Sequence, residues 1–270
     1  MVRSFVLIPG IVNGASRRIK KKNKKKPRNA SSSIQSLPNE VLVQVLAKVA
    51  SRSFDDLYSA MLSCKNFNES AQDDHIFEHV DISKFPLVSW RASEKHTRFL
   101  KRCRDLGNSE ALYRQGMRDL FTSKRIEPAG VESLKRAASK GHVEATYVYG
   151  AILVCCGGDS RQKGLELLYS LNRHKSRGLS VTECRERIKE LIWNTMWVNR
   201  EVIGRIVEAH DENAAMKACN DCGDPQGPYT IEQGWDFDDH DKFSSCNSCR
   251  WHQEVNIFCD ILSRSRANYD

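Results

Sequence analysis

Helical patterns of hydrophobic residues run through most of the chain after residue 34. In the first of them, Ser36 can cap a helix, Pro38 is tolerated in the first turn, and Glu40 places a carboxylate where the helix dipole favours one. The apolar residues that follow recur at steps of three and four. They predict a helix with one apolar face, made of Val41, Leu42, Val45, Leu46 and Val49.

Two further short helices are predicted before residue 82. One carries Leu57 and Cys64 at helical spacing, and the next begins near Asn68 and runs towards Phe77. Three helices this short cannot bury all of their apolar surface among themselves. We therefore expect part of that surface to meet a partner.

The same stretch resembles an F-box. The match runs Leu-Pro-x-x-Val-Leu-x-x-Val-Leu from Leu37, continues with Leu57 and a Cys-Lys-x-Phe that ends at Phe67, and closes at Phe77. Phe67 stands where the family usually has Trp, and the family's Leu-Pro after the first helix is absent here. The resemblance implies docking on the Skp adaptor of a cullin-based ubiquitin ligase; an ordinary small helical bundle is the alternative. The residues that it assigns to the adaptor contact are Leu37, Pro38, Val41, Leu42, Val45, Leu46, Leu57 and Phe67.

An internal repeat of 34 residues follows. Shifting the chain by 34 residues gives eight identities in the 28 positions from Gly107 to Leu134, and this period is typical of paired-helix solenoids. Among the identities are small residues where two helices could cross closely. The pattern Gly-x-x-x-Ala-x-Tyr-x-x-Gly resembles Sel-type repeats, relatives of the tetratricopeptide repeats, which implies a helical-hairpin scaffold for a peptide or protein. Alternatively, these helices only support the segment after them. The paired residues are Gly107 and Gly141, Glu110 and Glu144, Ala111 and Ala145, Tyr113 and Tyr147, Gly116 and Gly150, Gly130 and Gly164, Glu132 and Glu166, and Leu134 and Leu168.

Four of the ten cysteines form two Cys-x-x-Cys pairs near the end of the chain. Cys219 and Cys222 form the first pair, and Cys246 and Cys249 form the second. Two such pairs can complete a tetrahedral thiolate shell, which predicts a structural zinc ion with no open position for a substrate. His252 could replace one cysteine, and Cys259 is the next candidate ligand. Helical patterns place the other cysteines as small core residues: Cys64, Cys103, Cys155, Cys156 and Cys184.

The net charge of +8 is concentrated in the first 30 residues. They hold ten Lys or Arg and no acidic residue, so the rest of the chain carries a net charge of −2. We expect this tail to be disordered, and to be either a nuclear-import signal at 20–28 or a solvated linker.

No apolar stretch approaches the ~20 residues that span a bilayer. With no secretory signal, the chain is expected in the nucleus or the cytoplasm. A neutral body makes nucleic-acid binding an unfavoured alternative.

One catalytic pattern needs consideration. His142-x-Glu144 together with a distant Cys-x-x-Cys resembles the zinc deaminases. The repeat offers a simpler explanation, since the equivalent positions are Asn108-x-Glu110, and the Pro expected before Cys219 is absent. We find no Gly-rich phosphate loop and no Gly-x-Ser-x-Gly motif.

The sequence thus predicts an all-α protein that is a non-catalytic substrate receptor. Its expected parts are a disordered basic tail at 1–33, an F-box at 34–82, helical-hairpin repeats at 90–215 and a small irregular zinc-binding module at 216–270. The alternative is a zinc-dependent, nucleic-acid-associated protein that uses the basic tail.

Overall fold

The computed structural model describes residues 37–86, 93–123, 127–173, 180–214 and 247–265. Every regular element within these ranges is helical, which confirms the predicted all-α class. No helix in the same ranges is both long and apolar enough to cross a bilayer. The chain divides into two compact units, with helices α1–α5 in the first and the later helices in the second. The helices are α1 Asn39–Ala50, α2 Phe54–Ser63, α3 Lys65–Ser70, α4 Asp74–His79, α5 Glu94–Asp105, α6 Ser109–Thr122, α7 Pro128–Ser139, α8 Val143–Cys156, α9 Gly158–Arg173, α10 Val181–Glu190, α11 Arg200–Ala214 and α12 Asn247–Ser265, with a π-helical turn at Leu191–Thr195.

Helix α1 is the centre of the first unit, where it packs against α2, α3 and α4. It begins one residue after Pro38, which takes the N-cap position without a side-chain capping bond. The predicted cap, Ser36, lies outside the described residues. The third predicted helix is two helices instead, because the carboxylate of Asp73 accepts the N–H of His75 and starts α4 afresh.

Helix α5 completes the first unit by packing on α4. It ends at Asp105, and Gly107 follows two residues later with a φ of 85°, in the left-handed region. The side-chain amide of Asn108 then donates to the carbonyls of Phe77 (3.2 Å) and Val80 (2.9 Å). Helix α5 lies within the range 90–215 in which we expected repeats, and in the structure it packs with α1–α4 in the first unit.

The second unit opens with two helical hairpins, α6–α7 and α8–α9, which correspond to the two sequence repeats. Within each hairpin the helices cross closely at glycines. A Cβ on Gly130 would lie 2.9 Å from the backbone nitrogen of Leu120, and one on Gly164 would lie 2.6 Å from the carbonyl oxygen of Gly150. The close crossing predicted at Gly116 and Gly150 is confirmed, because a Cβ there would lie 2.7 Å from Cγ of Leu134 and 3.0 Å from Cγ of Leu168. Gly141 ends α7 with a φ of 82°, as expected of a left-handed cap.

Helices α10, α11 and α12 cover the two hairpins. Cys184, Ile188 and Ile192 are buried in the same core as the repeats. These later helices therefore cover the apolar surface that a stack of only two repeats would leave exposed. Helix α12 packs against α8, α9 and α11 with Trp251 and Phe258 buried. Residues 247–265 were expected to belong to a small irregular module. Instead they form a 19-residue helix in the core of the second unit.

Candidate functional site

Helix α1 carries two apolar stripes, and only one of them is buried. The buried stripe faces the rest of the first unit: Leu42, Val43, Leu46, Ala47 and Ala50. The second stripe is exposed and consists of Leu37, Val41 and Val45, with 37%, 41% and 40% of their surface accessible. Residues four apart are neighbours on a helix surface, so Val41 and Val45 lie one above the other on α1, and Leu37 precedes the helix by two residues. We call these three residues the α1 ridge.

Clustering distinguishes the α1 ridge from ordinary surface apolar residues. Five large apolar side chains are strongly exposed in the part of the chain that the structure describes. Three of them form the ridge, whereas Leu62 lies on α2 and Trp197 follows the π-helical turn. Singly scattered apolar residues are normal on a protein surface, but a contiguous row suggests a binding surface.

The ridge is held on a well-anchored helix with a polar border. At the start of α1, the hydroxyl of Ser70 donates to the side-chain oxygen of Asn39 (2.7 Å). At its end, the carbonyl of Ala50 accepts the N–H of Asp81 (2.8 Å). Exposed Glu40, Gln44 and Lys48 form the adjacent polar row. An apolar strip with a polar rim is the usual anatomy of a protein–protein interface.

The structure divides the predicted adaptor-binding residues into two groups. Leu37, Pro38, Val41 and Val45 are exposed, and Phe67 is half-buried. The other three are core residues of the first unit that can support a docking surface only indirectly: Leu42, Leu46 and Leu57, at 0%, 2% and 3% exposure. Helical periodicity alone could not separate the two groups, because both stripes have the same spacing.

Of the four predicted zinc ligands, the structure describes one. Cys249 is buried in the first turn of α12, whereas Cys219, Cys222 and Cys246 lie outside the described residues. The Nε2 atom of His252 accepts a hydrogen bond from Arg161 (2.7 Å), so only its Nδ1 could bind a metal while that bond persists. Cys259 lies ten residues after Cys249 on the same helix, about 15 Å along its axis. It therefore cannot share a metal ion with Cys249.

The His142-x-Glu144 pattern has a structural role. The Nδ1 atom of His142 accepts the N–H of Ala145 and caps α8, so Nε2 carries the proton and donates to Glu110 (2.7 Å). Glu144 pairs with Arg187 (2.9 Å). The first contact joins the two hairpins and the second joins α8 to α10, so both residues are explained without catalysis.

Glu110 is the acceptor in this network. Burial alone would raise the pKa of its carboxyl group, but the hydrogen bond from His142 and the charge of Arg114 outweigh burial and lower that pKa to about 2. The carboxylate therefore stays ionised and fixes the first repeat to the second.

A buried ion pair that the sequence did not reveal anchors α12 to the second unit. The guanidinium of Arg185 donates from Nη2 to Oε2 of Glu254 (2.5 Å) and from Nε to Oε1 (3.0 Å). The hydroxyl of Tyr147 donates to the same Oε1 (2.7 Å). Since these residues are 69 and 107 positions from Glu254 in sequence, no local pattern could have indicated the contact.

Two family models match successive parts of the chain, and the second match begins before α5 rather than at the boundary between the two structural units. Residues 34–83 match the F-box-like family model, and residues 82–193 match the model for plant tetratrico peptide repeats. The narrower Sel-type resemblance stays a prediction. No solved structure matches the chain.

Relatives of the chain occur in Arabidopsis thaliana. One of them, named "Putative F-box protein At1g67623", is 28% identical over 236 residues, which cover 86% of this chain and 78% of the relative. F-box protein At2g35280 is 29% identical over 129 residues, covering 47% of this chain and 76% of the relative. F-box protein At1g67340 is 27% identical over 130 residues, covering 47% of this chain and 34% of the relative. This chain thus has an F-box-like domain followed by tetratricopeptide-like plant repeats, and its relatives are F-box proteins.

Proposed function

We propose that this protein is a substrate-recognition subunit of a Skp–cullin–F-box type ubiquitin ligase. Its F-box-like unit docks on a Skp-type adaptor through the α1 ridge, and its second unit holds the target protein. The observation that carries the proposal is the exposed row of Leu37, Val41 and Val45 within a domain that matches the F-box-like family. The chain itself is non-catalytic: the cullin complex supplies the ubiquitin transfer, and this subunit supplies proximity.

The exposed area of the ridge is sufficient to matter for binding. Complete burial of a Val or Leu side chain is worth about 1.5–3 kcal/mol. Each ridge residue has roughly two fifths of its surface left to bury, so each can contribute about 1 kcal/mol to docking. An adaptor groove that covered all three would therefore gain about 3 kcal/mol from the ridge alone.

The second unit supplies the target-binding part. Paired-helix repeats expose extended surfaces that bind peptides and proteins, and the buried network of Glu110, His142 and Tyr113 keeps the two hairpins in a fixed arrangement. A structural zinc ion bound by Cys219, Cys222, Cys246 and Cys249 would hold the segment between α11 and α12 against this unit. The basic tail would direct the protein to the nucleus, with the cytoplasm as the other compartment.

Co-purification of the full chain with a Skp-type adaptor tests the docking proposal. Val41→Asp combined with Val45→Asp places two charges in the contact and should abolish co-purification while leaving the helical circular-dichroism signal unchanged. Leu62→Asp is the matched control, because Leu62 is 69% exposed but lies on α2. Leu37→Ala with Pro38→Ala should also weaken capture. Retention of the adaptor by the double Asp variant would contradict the proposal.

Metal analysis of the purified full chain tests the zinc proposal. Replacing Cys219 and Cys222 with Ser should remove one equivalent of zinc. An unchanged zinc content in that variant would show that these two cysteines do not bind the metal.

The nucleic-acid alternative makes a different prediction, which a salt titration can test. Binding through the ten basic residues of the first 30 would weaken steeply as salt concentration rises. Adaptor docking through apolar residues should change little over the same range. If binding to the only detectable partner weakens steeply with salt, the nucleic-acid alternative is favoured.

A further inference from the structure

Three helices of the second unit bring two thiols and an imidazole together in the core. Cys155 comes from α8, His210 from α11 and Cys259 from α12. The two sulfur atoms are 3.5 Å apart, and one potential ligand atom from each residue lies within 4.8 Å of the others. Their exposures are 1%, 8% and 5%, so all three are buried. None of them belongs to the two Cys-x-x-Cys pairs.

The spacing is close to that of a thiolate metal site. With Zn–S bonds of about 2.3 Å, two thiolates of a tetrahedral site are ~3.8 Å apart. The sulfur atoms of Cys155 and Cys259 are only about 0.3 Å closer than this. A shift of that size is small for side chains, so the two thiols need little movement to bind one metal ion.

The donor set also satisfies the charge requirement of a buried ion. Two thiolates balance the +2 charge of zinc, and neutral imidazole adds no charge, so the filled site would carry no net charge into the core. Without metal, the contact with Cys259 and the burial of the site raise the pKa of the Cys155 thiol well above its usual value.

Neighbouring side-chain amides hold the donors in place. The oxygen of Asn256 lies 2.7 Å from Nε2 of His210, and Asn256 is one turn before Cys259 on α12. The amide of Asn213 donates to the carbonyl of Cys155 (3.1 Å) from one turn after His210. Such supporting hydrogen bonds usually orient the ligands of a metal ion.

We propose that Cys155, His210 and Cys259 form a second, independent site for a thiophilic divalent cation, with Zn²⁺ as the chemically favoured ion. With Nε2 of His210 bonded to Asn256, Nδ1 is the nitrogen left to bind the ion, and a water molecule completes the fourth position. Because the ligands come from α8, α11 and α12, the bound ion joins the repeats to the C-terminal helix. This site does not depend on adaptor docking or on the Cys-x-x-Cys pairs.

Cobalt titration of the full chain tests the site directly. In a variant that carries Cys219→Ser, Cys222→Ser, Cys246→Ser and Cys249→Ser, Co²⁺ should still bind at one equivalent. It should give thiolate-to-cobalt charge-transfer absorption with tetrahedral d–d bands. Adding Cys155→Ser or Cys259→Ser should remove that absorption. Cys184→Ser is the matched control, because Cys184 is a fully buried cysteine of the same unit outside the cluster; it should leave the absorption unchanged. Absence of one-equivalent binding in the variant that retains the cluster, or absorption that survives Cys155→Ser, would overturn the proposal.

Cadmium NMR of the unmodified chain gives the answer even if the substituted chains do not fold. A site with two sulfur ligands and one nitrogen ligand should give a ¹¹³Cd resonance at lower shift than a four-sulfur site. That resonance supports this proposal whether or not a four-sulfur resonance is present. A four-sulfur resonance alone, or no resonance, would refute it, and a four-sulfur resonance alone would leave the zinc proposal for the Cys-x-x-Cys pairs standing.

Discussion

Replacing Glu254 with Gln should sharply destabilise the second unit. Glu254 accepts hydrogen bonds from Arg185 and Tyr147, and the side chains of the ion pair are 8% and 9% exposed. Gln keeps the size of Glu but removes the negative charge, so the buried guanidinium loses its counter-ion. The interaction joins α12 to α8 and α10, and we expect its loss to loosen the whole C-terminal helix.

The expected magnitude follows from burial. Removing one partner of a buried ion pair costs about 3–5 kcal/mol, because the remaining charge is left without compensation in the core. For a unit of this size that free energy corresponds to a fall in melting temperature of about 6–20 °C. An exposed pair in the same unit provides the comparison. Lys135 and Glu132 are 57% and 56% exposed, so Lys135→Ala should cost no more than about 1 kcal/mol.

Urea denaturation followed by circular dichroism measures both costs, and a double-mutant cycle isolates the pair. In a Tyr147→Phe background, which removes the hydroxyl that would otherwise lose its acceptor, Arg185→Met and Glu254→Leu should each be destabilising. The double variant should lose much less stability than the sum of the two single variants, because neither charge remains buried. If the two effects are additive, or if Glu254→Gln costs less than about 1 kcal/mol, the ion pair does not anchor α12 and the reasoning fails.

Three further predictions concern the stability of the two units. The pKa of Glu110 falls from its ordinary 4.5 to about 2 on folding, so its carboxylate stabilises the fold above pH 4.5, and that stabilisation is lost as pH falls towards 2. In urea denaturation, the free energy of unfolding of the wild-type chain should lose about 2 kcal/mol of its excess over that of Glu110→Gln by about pH 3. A stability difference that stays constant with pH would contradict this prediction. Gly164→Ala should destabilise by about 1–2 kcal/mol in thermal melts, because the clash with the Gly150 carbonyl exceeds the gain in helix propensity, and a rise in melting temperature would count against the close crossing. Leu42→Ala should lower the free energy of unfolding by about 2–5 kcal/mol, whereas Val41→Ala should change it by less than about 0.5 kcal/mol. Equal losses of stability would mean that the two stripes of α1 do not differ in burial.

The helical repeats could be predicted from sequence because their physical cause is local. Gly116 and Gly150 recur at the repeat period, and a Cβ at either would crowd a leucine of the paired helix, at 2.7 Å and 3.0 Å. The identities therefore record a steric requirement that each hairpin meets separately. The same holds for Gly141, whose position after a helical pattern indicates the left-handed cap that is observed.

The division of α1 into a buried and an exposed stripe could not be predicted in this way. Val41 and Leu42 are adjacent apolar residues that fit the same helical pattern, yet one is 41% exposed and the other is fully buried. Which stripe turns inward depends on where α2, α3 and α4 pack, and the sequence does not encode that placement locally. Apolar surface is left exposed on this unit, as the sequence predicted, but only the structure shows which residues form it.

The C-terminal helix shows a second limit. The short helical pattern at the end of the chain was visible, but the two Cys-x-x-Cys pairs favoured a separate small module. The buried contacts of Glu254, Trp251 and Phe258 instead place α12 in the core of the second unit. Contacts between residues about 100 positions apart, such as Tyr147 with Glu254 or Cys155 with Cys259, leave no periodic signal in a single sequence.

Calorimetric titration of the purified full chain with a Skp-type adaptor tests the central claim most directly. Val41→Ala with Val45→Ala removes most of the exposed apolar area that these two residues contribute to the α1 ridge, worth about 1–2 kcal/mol. It should therefore weaken adaptor affinity by about 5–30-fold. The melting temperature should not fall, because both positions are exposed and Ala is the better helix former. An affinity unchanged by the double substitution, in a chain that still binds the adaptor, would mean that the adaptor does not cover this ridge.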